Sequence, residues 1–225
     1  MRVVTIDGPA GSGKSTVANR LAAELGWRML DTGAMYRVIT LAAIRAGADL
    51  RDDASLANIV ANVVIKLHPG RVLLDGEDVS QAIRSVDVTR ATSAVADRPS
   101  VRQRLVELQR EFAREYDVVT EGRDQGTVVF PDALRKFFLT ASLEERARRR
   151  LAEFVERAED TTLEAVMEDV RTRDDRDASR AIAPMKPAPD ARLIDTTGLS
   201  LDIVLARLVG DVRIRLAAHE SGERS

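Results

Sequence analysis

The segment GPAGSGKS, Gly8 to Ser15, places three glycines, a lysine and a hydroxyl within eight residues. Glycines let successive backbone N–H groups turn inward around an anion, and a following helix adds partial positive charge at its start. In a loop of the form GxxxxGK[ST], Lys14 reaches the β and γ phosphates and Ser15 offers a hydroxyl to Mg²⁺. An inert glycine turn is the alternative. We predict a nucleoside triphosphate site formed by Gly8, Pro9, Ala10, Gly11, Ser12, Gly13, Lys14, Ser15 and Thr16.

A second group of polar residues lies in MLDTGAMYR, where a short apolar run ends at Asp31 and a helical pattern begins. Ligands of parallel α/β sheets bind at the carboxyl ends of the strands. Thr32, Tyr36 and Arg37 are four and five residues apart, so a helix can present them to the mouth of one cleft.

A third group, EGRDQGTVVFPDA, follows another apolar run. Glu121 stands where an acid can hold Mg²⁺ through its waters, while Arg123 and Asp124 can bind a phosphate and a polar base or hydroxyl. The alternative is a surface turn with a local Arg–Asp pair.

Two charged segments allow a functional and a structural interpretation. In RTRDDRDASR, Arg173, Asp177 and Arg180 recur at i, i+4 and i+7, which predicts one helical stripe, although such runs are more often a solvated helix face. In EERARRR, Arg146 and Arg150 share a helix face. They fit either a clamp on the donor phosphates or an ordinary salt-bridged helix.

The elements that must position these residues can be predicted from pattern. β-Branched or apolar runs predict five strands, at Val3 to Ile6, at Arg28 to Leu30, and beginning near Asp117, Arg135 and Ala191. Helical patterns separate them, the first ending near Gly26. Alternating strands and helices predict a three-layer α/β fold with a parallel five-stranded sheet.

The stretch from Ala48 to about Ala96 has a different pattern. Two alternating runs with turns at Pro69-Gly70 and Asp75-Gly76 predict a small inserted antiparallel subdomain. A helix-prone segment from Thr162 to about Arg180 then runs into a proline-rich loop.

Composition narrows the classes of protein. The 225 residues carry a net charge of −2, with 44% hydrophobic residues, which is typical of a globular domain and gives no support for a nucleic-acid coat or a membrane surface. The absence of cysteine excludes disulfides, thiolate metal sites and a cysteine nucleophile. The first apolar run is too short for a signal peptide, so we expect a cytoplasmic protein. No NKxD run for guanine recognition is present, which favours a small-molecule kinase over a switch GTPase.

Five segments together resemble bacterial cytidylate kinases: IDGPAGSGKST, LDTGAMYR, EDVSQAIRS, EGRDQGTVVFPDA and RDDRDASRAIAP. They stand in the family's order over almost the whole chain and are far more specific than the phosphate loop alone. The resemblance implies a nucleoside monophosphate kinase core over residues 1–225. It also implies a monophosphate-binding insert at 48–100 and a helical lid at 152–182.

The resemblance also implies the roles of individual residues. Lys14, Arg123, Arg173 and Arg180 would be catalytic, and Ser15 and Glu121 would hold the metal. The residues that would bind CMP are Thr32, Tyr36, Arg37, Ser93, Arg102, Arg123, Asp124, Arg173, Asp177 and Arg180.

Two positions depart from the family pattern, because position 32 is threonine where many relatives have serine and position 121 is glutamate where others have aspartate. Hydroxyl and charge are kept. The activity implied is transfer of the γ-phosphoryl group of MgATP to CMP or dCMP by a monomer, with no nucleic-acid or membrane partner. The rivals are a kinase for UMP, AMP or shikimate, and a switch protein that hydrolyses ATP or GTP.

Overall fold

A computed structural model describes residues 1–68, 70–156 and 160–221. Within these ranges the strands are β1 (Val3–Asp7), β2 (Arg28–Asp31), β3 (Ile65–His68), β4 (Arg71–Leu74), β5 (Glu77–Asp78), β6 (Val118–Gly122), β7 (Arg135–Thr140) and β8 (Arg192–Asp195). The α-helices are α1 (Lys14–Leu25), α2 (Thr32–Arg45), α3 (Asp53–Asn62), α4 (Val86–Ala96), α5 (Pro99–Glu115), α6 (Leu143–Glu156), α7 (Leu163–Ser179) and α8 (Leu201–Glu220). A 3₁₀ turn (Ala82–Arg84) and a short π-helix (Gln125–Val129) complete the described elements.

The main sheet has five strands in the order β2-β6-β1-β7-β8. β1 pairs in parallel with β6, where Ile6 lies opposite Glu121, and with β7, where Ile6 lies opposite Phe137. β7 pairs in parallel with β8. Because the strands are parallel, the phosphate loop after β1 and the segment after β6 leave the sheet at the same edge. The predicted α/β fold and its five strands are confirmed.

The chain forms two compact units and passes from one to the other within β2. The first contains Met1–Met29 and the described residues from Tyr116 onward. Its core lies where α1 and α8 pack on the sheet, and its most completely buried side chains include Ile6, Leu21, Phe137, Leu139 and Leu208. From Val4 to Ile6 the β-branched run of β1 is completely buried, as expected of a parallel strand covered on both faces.

Helices α6 and α7 pair within the first unit around Ala147, Val166 and Val170. The Thr162 hydroxyl accepts a hydrogen bond from the Ala165 N–H at 3.2 Å and so caps the start of α7. Residues 152–182, predicted as a lid, include positions 157–159, which lie outside the described residues, as do positions 222–225.

The second unit, Leu30–Glu115, contains four helices and the antiparallel sheet β3-β4-β5. Asp75 and Gly76 join β4 to β5 with φ of 51° and 89°, the left-handed pair that a two-residue hairpin requires. This turn is as predicted, whereas the other predicted turn includes Pro69, which lies outside the described residues. The core gathers Val38, Leu74 and Ile83. The insert predicted at 48–100 lies inside this unit.

No helix in the described ranges has the length and apolarity needed to cross a lipid bilayer.

Candidate active site

The phosphate loop between β1 and α1 depends on glycine geometry. Gly8, Gly11 and Gly13 have φ of 145°, 75° and 85°, values that side-chain-bearing residues rarely adopt. A Cβ on Gly8 would lie 2.0 Å from the Leu139 carbonyl oxygen, and one on Gly11 would lie 2.7 Å from the Arg146 carbonyl oxygen. The loop therefore packs directly against the backbone of β7 and α6, which leaves no room for a side chain at either position.

The carbonyl oxygens of this loop accept hydrogen bonds from side chains around it. Lys14 Nζ donates to the Pro9 carbonyl at 3.1 Å, and Arg146 Nη1 donates to the Ala10 carbonyl at 3.2 Å. The Thr196 hydroxyl lies 3.2 Å from the Ser12 carbonyl. Fixing these carbonyls also fixes the peptide N–H groups of the loop, which are the donors that a loop of this kind uses to bind phosphate.

Lys14 is buried, with only 6% of its surface exposed. The pKa of Lys14 is lowered to about 7, chiefly by burial and also by the positive charges of Arg123 and Arg173, while Glu121 and Asp177 act in the opposite direction. The ammonium thus lies in a site short of negative charge. The phosphates of a nucleotide would supply that charge and favour the protonated form.

Two side-chain oxygens that could bind a metal ion meet at the start of α1. The Ser15 hydroxyl donates to Glu121 Oε1 at 3.0 Å, which joins the phosphate loop to the end of β6. Oxygen ligands suit Mg²⁺, which commonly binds one or two protein oxygens together with substrate phosphates and waters. Ser15 and Glu121, the predicted metal residues, are therefore brought together and have the right donor chemistry.

The residues after β6 form a charged cluster with the end of α7. Arg123 Nε donates to Asp177 Oδ2 at 2.7 Å, and Arg180 Nη2 lies 2.8 Å from Asp177 Oδ1. Burial alone would raise the pKa of Asp177, but Arg123 and Arg180 outweigh it and the pKa lies below its ordinary value. Arg173, one turn before Asp177, is exposed. Four of the predicted residues thus lie on neighbouring elements.

The predicted helical stripe is wrong for Arg180. Helix α7 ends at Ser179, and Arg180 is its C-cap with an extended backbone, φ −55° and ψ 133°. The chain turns there ahead of the proline-rich loop, and the Met185 N–H donates to the Asp177 carbonyl at 2.8 Å. Arg180 therefore reaches Asp177 from the loop and not from the helix face.

Asp7, at the end of β1, is a site residue that the sequence analysis missed. Its carboxylate accepts the N–H of Gln125 at 2.9 Å and the N–H of Gly126 at 2.7 Å, so it holds the π-helical segment that follows Arg123 and Asp124. Burial raises the pKa of Asp7 to about 7, against the lowering effect of these two bonds. A charged residue at the end of a buried, β-branched strand, directly before the phosphate loop, was the available signal.

Asp124 itself is buried, and its carbonyl oxygen accepts the Val128 N–H at 2.9 Å. The segment EGRDQG is therefore an ordered structure under the phosphate loop. The alternative interpretation as a surface turn is wrong.

The second unit carries the other predicted acceptor residues at the start of α2. Asp31 caps this helix by accepting the Ala34 N–H at 2.8 Å, and Arg37 Nη2 lies 3.5 Å from Asp31 Oδ2. Thr32 is buried and Tyr36 is partly buried. The buried Nε of Arg37 has no hydrogen-bond acceptor among the described residues. A phosphate oxygen is an acceptor that this N–H could bind.

Ser93 and Arg102 lie on α4 and α5 in the same unit. Arg102 is buried, and its Nη1 donates to the Ala96 carbonyl at 3.4 Å. Ser93 is partly buried, and its hydroxyl donates to the Arg90 carbonyl at 3.2 Å.

The two arginines of α6 that the sequence left open differ in their surroundings. Arg146 is buried and bonds to the Ala141 and Ala10 carbonyls and to Asp174 of α7. Arg150 lies 3.6 Å from Glu153 and 5.5 Å from the centre of the Phe154 ring. Arg146 is thus neither a free clamp nor a member of an exposed salt-bridge network.

Sequence comparison identifies the family. A family model described as cytidylate kinase matches residues 4–213. The chain belongs to the cytidylate kinase family. Cytidylate kinases of Pseudomonas fluorescens and Pseudomonas entomophila are 46% and 47% identical to it over 219 residues, which is 95% of this chain and 96% of each relative.

A solved structure of an uncharacterized protein from Eubacterium ventriosum has a similar fold. Its TM-score is 0.55 at 11% sequence identity, over 95% of this chain and 99% of that chain. At this identity the likeness concerns the fold alone.

Membership of the cytidylate kinase family makes the chain a kinase and accounts for its nucleotide-binding P-loop. The first unit contains the predicted donor and metal residues. It also contains five of the predicted acceptor residues, which are Arg123, Asp124, Arg173, Asp177 and Arg180. The remaining acceptor residues, Thr32, Tyr36, Arg37, Ser93 and Arg102, lie in the second.

Proposed function

We propose that this kinase transfers the γ-phosphoryl group of MgATP to CMP or dCMP, giving ADP and the cytidine or deoxycytidine diphosphate. The observation that carries the proposal is the pairing of two anion-binding groups at one edge of the main sheet. The first is the phosphate loop with Lys14, and the second is the cluster of Arg123 and Arg180 around Asp177. The name of the family supplies the acceptor.

Phosphoryl transfer depends mainly on positioning and on neutralising charge. The inward N–H groups of the phosphate loop and Lys14 would hold the β and γ phosphates of the donor. Arg123, Arg173 and Arg180 would neutralise charge on the transferred group and on the acceptor phosphate. No general base is required, because the acceptor phosphate is already anionic near neutral pH.

Acceptor recognition would use both charged and neutral groups. Asp177 is anionic and held by two arginines, so it can accept a hydrogen bond from a sugar hydroxyl. Because a contact of this kind does not need the 2′-hydroxyl, both CMP and dCMP would serve. Asp124, Ser93 and Arg102 would contact the base, and Thr32, Tyr36 and Arg37 the monophosphate.

Ser15 and Glu121 would hold Mg²⁺, the first directly and the second through water. The bound ion would supply positive charge that stabilises the negative charge developing on the phosphates. The arrangement of the two residues supports this role, because the Ser15 hydroxyl already lies 3.0 Å from Glu121 Oε1. A monomer in the cytoplasm is also part of the proposal.

The proposal is tested by following ADP release with CMP, dCMP, UMP and AMP as acceptors under identical conditions. We expect rapid release with CMP and dCMP and slow release with UMP and AMP. Faster turnover with UMP or AMP would assign the enzyme to another acceptor. Release that is equal with and without any acceptor would replace the kinase proposal with a nucleotide hydrolase.

A further inference from the structure

Arg146 contacts both the phosphate loop and α7, the helix that carries Arg173 and Asp177. Its Nη1 donates to the Ala10 carbonyl at 3.2 Å and forms an ion pair with Asp174 Oδ2, and its Nε donates to the Ala141 carbonyl at 3.0 Å. Only 9% of the arginine side chain and 18% of the Asp174 side chain are exposed. A guanidinium is suited to this position because its planar fork can serve several acceptors at once.

The contact with Ala10 bears on how the loop binds phosphate. A loop binds an anion when its N–H groups point inward, which requires the intervening carbonyls to point outward. Outward carbonyls that are buried need donors, and Arg146 supplies the donor at Ala10. The backbone of Arg146 also lies against Gly11, where a Cβ would approach its carbonyl oxygen to 2.7 Å. Arg146 thus fixes both the orientation and the position of this part of the loop.

The contact with Asp174 affects the acceptor side of the proposed site. Asp174 is three residues before Asp177 and one after Arg173, so a change in the rotation of α7 at Asp174 moves both neighbours. The exposed ion pairs on these helices, Arg148 with Glu144 and Arg171 with Glu168, contact neither the loop nor the arginine cluster in the described residues.

We propose that Arg146 and Asp174 form a positioning pair that keeps helix α7, with Arg173 and Asp177, in register with the phosphate loop. Neither residue touches the reacting phosphates. Arg146 orients the Ala10 carbonyl of the loop that would bind the donor. Asp174 binds the same guanidinium and so fixes α7, the helix that carries Arg173 and Asp177 of the acceptor side. The proposal rests on the kinase activity proposed above and adds residues to its machinery.

The test compares Arg146→Gln, Asp174→Asn and the double variant with wild type at 25 °C, under conditions in which each is folded by circular dichroism. ATP affinity is measured by calorimetry without acceptor, and kcat and KM are measured with CMP. We expect Arg146→Gln to weaken ATP binding about tenfold, because the loop loses its support. Asp174→Asn should lower kcat about tenfold with a smaller effect on ATP binding.

The double variant separates positioning from general stability. Because the two residues act as a pair, the fold-loss of kcat in the double variant should be smaller than the product of the two single-variant losses, by about threefold or more. The matched controls Arg148→Ala and Arg171→Ala remove exposed arginines from the same helices and should keep kcat within twofold of wild type. If Arg146→Gln does not fold, the near-isosteric Asp174→Asn alone decides by its kcat.

Unchanged kcat and ATP affinity in Asp174→Asn and in a folded Arg146→Gln would overturn the proposal even if both variants melt at lower temperature. Independent effects that multiply in the double variant would also overturn it. A wild-type enzyme that fails to phosphorylate CMP would instead overturn the proposed function, so the two failures are distinguishable.

Discussion

At the scale of single residues, Lys14 is the most direct link between the fold and the chemistry. It is buried, donates to the Pro9 carbonyl, and stands among arginines that make its ammonium form costly without an anion. Lys14→Met should therefore cost about 3 kcal/mol or more of transition-state stabilisation, which is a loss of about 100-fold in kcat. Steady-state kinetics with CMP measure it. The control is Lys66→Met, which replaces an exposed lysine on β3. A Lys14 variant whose kcat lies within threefold of wild type would remove Lys14 from the mechanism.

Arg180 tests the acceptor side. Its guanidinium lies 2.8 Å from Asp177, next to the end of α7, in the cluster proposed to bind the acceptor. Arg180→Ala should lower kcat about 100-fold while ATP affinity, measured by calorimetry, stays within threefold of wild type. The exposed Arg171→Ala gives the reference. An equal loss of ATP binding would place Arg180 on the donor side, and unchanged CMP phosphorylation would exclude it from the site.

Asp7 makes stability depend on pH. Its pKa is about 7 in the folded chain and about 4 when unfolded, so the folded state binds more protons between these values. The free energy of unfolding should fall as pH rises through this window, by at most about 1.4 kcal/mol per pH unit. Asp7→Asn abolishes the dependence. Urea unfolding of both proteins between pH 5 and pH 8 measures it.

In that experiment the free energy of unfolding of Asp7→Asn should rise relative to that of wild type as pH rises. Asp202→Asn, at an exposed carboxylate on α8, should follow the wild-type curve. Parallel curves for wild type and Asp7→Asn would show that the Asp7 carboxyl does not titrate in this range.

The sequence predicted the residue types of the site better than their contacts. The phosphate loop and Arg123 could be named because their chemistry follows from residue type and position, whereas Asp177 and Arg180 took their roles from the resemblance to cytidylate kinases. Asp7 was not named and the role of Arg146 was left open, because their roles depend on backbone N–H and carbonyl groups of segments 118 and 136 residues away. Spacing along one chain segment carries no information on such contacts.

At the scale of elements, the phosphate loop is limited by the strand beside it. Gly8 has φ of 145°, and a Cβ there would lie 2.0 Å from the Leu139 carbonyl of β7. Gly8→Ala should displace the loop and lower kcat/KM for ATP by about 100-fold, the cost of roughly 1 Å of misplacement. Coupled-assay kinetics check this.

The matched control is Gly210→Ala in helix α8, where nothing lies within 4 Å of the added Cβ. It should keep wild-type kinetics and raise the free energy of unfolding by about 0.5–1 kcal/mol. A Gly8→Ala enzyme with normal ATP kinetics would show that the loop tolerates a side chain and that its geometry is not what binds ATP.

Element boundaries were predicted well where local signals mark them. Helix α1 was predicted to end near Gly26, and it ends at Leu25 with Gly26 as its C-cap at φ of 67°. The end of α7, predicted at about Arg180, also agrees with the structure, in which the helix ends at Ser179 and Arg180 is its C-cap.

At the scale of the whole molecule, the alternation of strands and helices was enough to predict the parallel sheet, since parallel strands need crossover connections. The strand order β2-β6-β1-β7-β8 was not predicted, because it depends on which buried strands pair and all five have similar apolar composition. That order brings the ends of β1 and β6 side by side and so creates the site.

The central claim is that ATP bound in the phosphate loop gives its γ-phosphoryl group to CMP and not to water. It is tested most directly by incubating the enzyme with MgATP labelled at the γ-phosphate, with and without CMP, and separating the products. We predict that the label appears in CDP and that little inorganic phosphate forms when CMP is absent. Label released as inorganic phosphate at the same rate with and without CMP would contradict the account.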